Sequence, residues 1–87
     1  MGTLYVVATP IGNLEDMTFR AVRVLREVPL VAAEDTRVTR VLFRAYDIHT
    51  PLVAFHEFTS ASRRGRLVDR LDEGDVALVT DAGMPGV

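Results

Sequence analysis

The sequence predicts an α/β domain: a mostly parallel sheet of about four strands with helices on both faces. Four short apolar runs (residues 4–8, 30–33, 52–55 and 76–80) carry β-branched residues without polar alternation, the pattern of strands buried on both faces. Between them lie three segments with helical periodicity, and the order β-α-β-α-β-α-β calls for parallel strands joined by crossover helices. No repeat, low-complexity tract or linker interrupts residues 1–87, so the visible chain reads as one layered unit.

Leu4-Tyr5-Val6-Val7-Ala8 is the first strand. Pro10, Gly12 and Asn13 are turn formers and make 9–17 a loop. Thr18 suits the N-cap of a helix over about 19–28, with Phe19, Val22, Leu25 and Val28 on its inner face and Pro29 ending it. Leu30–Ala33 is the second strand. Asp35 or Thr36 caps a helix over about 37–46, whose Val38, Val41, Leu42 and Ala45 follow the spacing of a packed face. Residues 46–50 connect to Pro51 and a third strand, Leu52–Phe55. Ser60 or Ser62 opens a helix over about 61–73 that turns Ala61, Leu67, Val68 and Leu71 inward and ends near Gly74. Val76–Thr80 is the fourth strand.

Composition narrows the function. The chain has 87 residues, a net charge of −2, 48% hydrophobic residues and 25% charged ones, ordinary for one small globular domain. There is no cysteine, hence no disulfide framework or thiolate chemistry. His49 and His56 are too few and too far apart in sequence for a standalone metal site. No apolar run approaches the ~20 residues of a membrane span, and the N-terminus lacks the features of a signal peptide. A cytoplasmic protein without membrane association is expected. The net charge argues against wholesale binding of a polyanion. All ten basic residues are arginine. Arg37, Arg40 and Arg44 share one helical face, and Arg63, Arg66 and Arg70 another. Such stripes suit phosphate, and they equally suit a solvated helix surface.

Right-handed crossovers bring the carboxyl ends of all four strands to one edge, where open α/β sheets bind ligands. Thr9-Pro10-Ile11-Gly12-Asn13, Glu34-Asp35-Thr36-Arg37, His56-Glu57 and Asp81-Ala82-Gly83-Met84-Pro85 leave those ends. Separately they fit a turn, a helix-capping pair or a structural histidine. Together they favour a small-molecule site. The first loop lacks both the dinucleotide fingerprint and the phosphate loop, which argues against NAD and P-loop chemistry.

These strand ends carry a resemblance. Residues 4–18, with Thr9-Pro10-Ile11-Gly12-Asn13-Leu14 at their centre, resemble the amino-terminal signature of the small-subunit ribosomal RNA cytidine-2′-O-methyltransferases, a branch of the tetrapyrrole (corrin/porphyrin) methylase superfamily. Ala33-Glu34-Asp35-Thr36-Arg37 resembles that branch's second motif. His56-Glu57 falls where it has a His-rich stretch, although Phe58-Thr59-Ser60 follow here in place of further His, Asn and Glu. Val79-Thr80-Asp81-Ala82-Gly83-Met84-Pro85 resembles its fourth motif.

The resemblance implies transfer of a methyl group from S-adenosylmethionine to a ribose 2′-hydroxyl of small-subunit ribosomal RNA, with no metal required. It implies a two-domain, homodimeric enzyme of which residues 1–87 form the N-terminal domain, cut within the fourth motif and inactive alone. Pro10, Asp81, Ala82, Gly83, Met84 and Pro85 would then contact the donor. Thr9, Gly12, Asn13 and Arg37 would border the acceptor. Glu34, Asp35 and His56 are the candidates for the general base. Two other readings stay open: a methylase of the same fold acting on a tetrapyrrole precursor or a protein, and a non-catalytic module that binds a nucleotide or a protein.

Overall fold

A computed structural model describes residues 2–9, 17–58 and 67–81. Four strands form one all-parallel sheet: β1 (Leu4–Thr9), β2 (Leu30–Ala33), β3 (Leu52–Ala54) and β4 (Val76–Asp81). The spatial order is β1-β4-β2-β3. The last strand therefore inserts between the first two, and the register sets Val6 beside Leu78 on one side and Leu30 beside Val76 on the other.

Helices α1 (Phe19–Glu27), α2 (Thr36–Ala45) and α3 (Leu67–Glu73) connect the strands. Val22 and Leu25 of α1, with Leu42 and Phe43 of α2, join Val7, Val31, Ala33, Ala77 and Val79 in one core. Leu67 and Leu71 of α3 pack on Leu30, Ala32 and Val76 in a second core across the sheet. The handedness rule accounts for this. The first two crossovers advance in one direction and lie on one face; the third runs back and must take the other.

Local chemistry starts and stops the helices. Thr18 is extended (φ −78°, ψ 155°) and its hydroxyl accepts from the Ala21 amide at 3.0 Å, an N-cap bond. Asp35 caps α2, its carboxylate accepting from the Arg37 amide at 3.0 Å. The end of α2 is a Schellman turn. Ile48 N–H donates to the Phe43 carbonyl at 2.8 Å, and Asp47, at φ 56°, donates to that of Arg44 at 3.4 Å. Ile48 and Phe43 are both buried in the first core, as that motif's hydrophobic contact requires.

Several expectations are corrected. β1 is not buried on both faces. It lies at the sheet edge, and while Val7 is buried, Leu4, Val6 and Ala8 are exposed, Val6 to 65%. The residues of α3 described pack over β2 and β4 rather than over β1. α2 buries Thr39, Leu42 and Phe43, leaving Val38 and Val41 half-exposed and Ala45 exposed. Burying a phenylalanine removes more apolar surface than burying a valine, and the Thr39 hydroxyl is satisfied by the Asp35 carbonyl at 3.1 Å. Phe19, at the first turn of α1, is 96% exposed, and Val68 of α3 is also exposed. β3 ends at Ala54, and Phe55–Phe58 form a 3₁₀ turn instead of prolonging the strand. The expected start of α3 at residues 61–66 lies outside the described residues.

Candidate functional site

Because the sheet is all parallel, its four strand ends do share one edge, and that edge is stepped. The β2–β4 ladder stops at Ala33 opposite Val79, whereas β1 and β4 stay paired through Thr9 opposite Asp81. Two further residues at ~3.3 Å each raise the β1–β4 pair about 7 Å above the end of β2. Glu34 and Asp35 turn away at the foot of this step, beside the rung of Thr80. Helix α2 then leaves on one face of the sheet, while the chain leaving β3 reaches α3 on the other. Loops that diverge in this way open a crevice between β2 and β3, one strand along from the step.

The expected site residues divide by the strand end they leave. Thr9, from the first motif, and Asp81, from the fourth, are neighbours across a parallel rung. Glu34 is exposed, and among the described residues it has no ion-pair partner. Asp35 is half-exposed and already engaged: beyond the Arg37 amide, one carboxylate oxygen stands 3.7 Å from the Arg37 guanidinium, itself 90% exposed. His56 is exposed in the 3₁₀ turn after β3. At about 4.8 Å per strand, the end of β3 is two strand spacings from β4 and the end of β2 only one. Pro10, Gly12, Asn13, Ala82, Gly83, Met84 and Pro85 lie outside the described residues.

Comparison with known proteins gives the family of the chain. The sequence profile of the Tetrapyrrole (Corrin/Porphyrin) Methylases matches residues 3–87. The chain belongs to the tetrapyrrole methylases. Within this family it is similar to proteins named ribosomal RNA small subunit methyltransferase I. That of Halalkalibacterium halodurans is 58% identical over 87 residues, that of Pseudomonas aeruginosa 60% over 85, and that of Bacillus subtilis 52% over 88. These matches cover 99%, 97% and 100% of the chain but 30% of each relative, so this methylase chain spans about a third of the length of the curated relatives it matches.

Thr80 closes the apolar run of β4 and belongs to the fourth motif, but it is not among the expected site residues. The register places it on the first rung above the end of β2, at the step itself. A hydroxyl residue ending an otherwise apolar run was the available signal. Among the described residues, no group of three His, Cys, Asp or Glu could hold a metal, and no helix is long and apolar enough to cross a membrane.

Proposed function

We propose that this chain forms one wall of an S-adenosylmethionine-dependent methyltransferase that acts on a cytidine ribose 2′-hydroxyl of small-subunit ribosomal RNA. The observation that carries the reading is the 52–60% identity, over nearly the whole chain, to proteins named as methyltransferases of that RNA. The stepped sheet edge supports it physically. Asp81 ends β4, a carboxylate suited to a ligand bearing a sulfonium and an amino group, and Glu34 follows β2 as a separate carboxylate able to take a proton.

The donor supplies an activated methyl group. A bond forms between the ribose oxygen and the methyl carbon as the carbon–sulfur bond breaks, and the sulfur departs as a neutral thioether. The protein must align the three atoms and accept the hydroxyl proton. Alignment can supply up to ~7–11 kcal/mol, and a placed base typically adds about 10²–10⁴-fold.

In this reading Asp81 is assigned to the donor's cationic groups, since opposite charges about 4 Å apart attract by ~4 kcal/mol at an effective dielectric of 20. Pro10 and residues 82–85 complete the donor side; Thr9, Gly12, Asn13 and Arg37 border the acceptor. Glu34 is the base we favour over Asp35 and His56. Asp35 is engaged at the cap of α2, and His56 leaves a strand one step farther from β4. Residues outside this chain supply the second domain and the opposing wall. A cytoplasmic, homodimeric enzyme belongs to the same proposal.

The test is transfer of labelled methyl from S-adenosylmethionine to small ribosomal subunits by the full-length protein. A ribose-methylated cytidine that resists alkaline cleavage is expected. Label on a corrinoid precursor or on protein, and none on RNA, would refute the reading.

A further inference from the structure

The net charge of −2 conceals an uneven distribution. Helices α1 and α2 form the layer on one face of the sheet. Together they carry six arginines (Arg20, Arg23, Arg26, Arg37, Arg40 and Arg44) against a single acid, Glu27. On the opposite face α3 carries Asp69, Asp72 and Glu73 against Arg70. All six arginines of the α1–α2 layer are exposed. Arg37 pairs with Asp35, and Arg26 donates to the Tyr46 carbonyl. Among the described residues, the other four have no carboxylate in ion-pair range.

Position adds to charge. Both helices run back from the carboxyl edge of the sheet, so Arg20 and Arg37 stand beside that edge and the rows lead away from it. At 1.5 Å per residue, Arg37 to Arg44 spans about 10 Å, the axial rise of about three phosphates along one nucleic-acid strand. Phe19 begins the α1 row, almost wholly exposed. It lines a groove of about 730 Å³ with Arg23, Arg26 and Tyr46, and Glu27 is the one acid on its wall. An open aromatic ring beside an unpaired arginine, here Arg23, is the pairing that stacks bases and holds backbone in single-stranded RNA sites.

We propose that the α1–α2 face is an RNA-docking surface, on which Arg23, Arg40 and Arg44 hold phosphates flanking the target nucleotide and Phe19 stacks a base. The proposal rests on the reading of the sheet edge as a methyl-transfer site for RNA. It reconciles an acidic protein with a polyanionic substrate, because one face alone carries the contact.

The test is binding of a fluorescent single-stranded 20-nucleotide RNA to the chain, followed by anisotropy between 50 and 200 mM salt, with circular dichroism confirming that each variant is folded. Each phosphate contact to a single strand contributes a salt slope of about −0.7. The triple variant R23A/R40A/R44A should therefore lose about 2 from the slope and bind at least tenfold more weakly. Phe19→Ala should weaken binding about tenfold and leave the slope unchanged. The α3 variant D69A/D72A should stay within twofold. Absence of RNA binding by the unaltered chain, unchanged affinity and slope in the triple variant, or an equal loss in the α3 variant overturns the proposal. Unchanged RNA binding with loss of self-association by light scattering would instead assign the face to a second copy of the chain. Donor affinity of the full-length protein, measured separately by calorimetry, reports on the methyl-transfer site. Its absence would indict that reading without touching the RNA result.

Discussion

Replacing Asp35 separates a helix cap from a catalytic base. Its carboxylate accepts the Arg37 amide at 3.0 Å, and losing an N-cap oxygen costs typically about 1 kcal/mol, within a range of about 0.5–2. The added ion pair, at 3.7 Å to a guanidinium that is 90% exposed, adds only a few tenths. The backbone carbonyl of Asp35, which accepts from the Thr39 hydroxyl and amide, survives any side-chain change. Asp35→Ala should therefore cost about 1–1.5 kcal/mol. In a domain of this size that lowers Tm by roughly 4–12 °C. Asp35→Asn keeps a capping oxygen and should cost less than about 0.5 kcal/mol. Thermal unfolding followed by circular dichroism makes the comparison. If Asn proves as damaging as Ala, the loss comes from the charge and the capping argument fails. In the full-length enzyme, Asp35→Asn should keep turnover within tenfold, because the base is assigned to Glu34.

The remaining predictions concern register, helix ends and the site. A Cβ on Gly2 would lie 2.2 Å from the Gly74 carbonyl oxygen, so Gly2→Ala should destabilise the chain by about 1–3 kcal/mol in chemical denaturation. Asp47→Gly relieves a left-handed residue at the end of α2 and should raise stability by about 0.5–1 kcal/mol, seen as a higher Tm. Phe43→Ala should cost about 3–5 kcal/mol, whereas Val41→Ala should stay within about 1, in the same denaturation assay. Glu34→Gln in the full-length protein should lower methyl transfer by about 10²–10⁴-fold in a steady-state assay.

What could be read from the sequence was local. The capping role of Thr18 and the choice of Asp35 or Thr36 for α2 follow from side-chain chemistry next to helical periodicity, and the strand runs follow from β-branched apolar residues. The parallel sheet follows from the alternation of elements alone. Sheet order did not, because the insertion of β4 between β1 and β2 is a long-range choice. Hence the apolar run of β1 looked doubly buried although Leu4, Val6 and Ala8 lie open at an edge. In α2 two stripes compete at the same spacing: Val38, Val41, Leu42 and Ala45, or Thr39, Leu42, Phe43 and Tyr46. The second wins through the volume of Phe43, and a threonine disguised it. The Schellman turn went unread because aspartate stands where glycine is usual. At the site, the motifs name strand ends that a parallel sheet puts on one edge, but the step between the β1–β4 pair and β2 comes only from register.

The proposed function requires that S-adenosylmethionine bind at the carboxyl edge of this sheet. Isothermal titration of the donor into the full-length protein, its Asp81→Ala variant and its Glu34→Gln variant tests it most directly. Asp81→Ala should bind at least tenfold more weakly, and Glu34→Gln should bind within twofold of the unaltered protein. Equal affinity in all three proteins would contradict it.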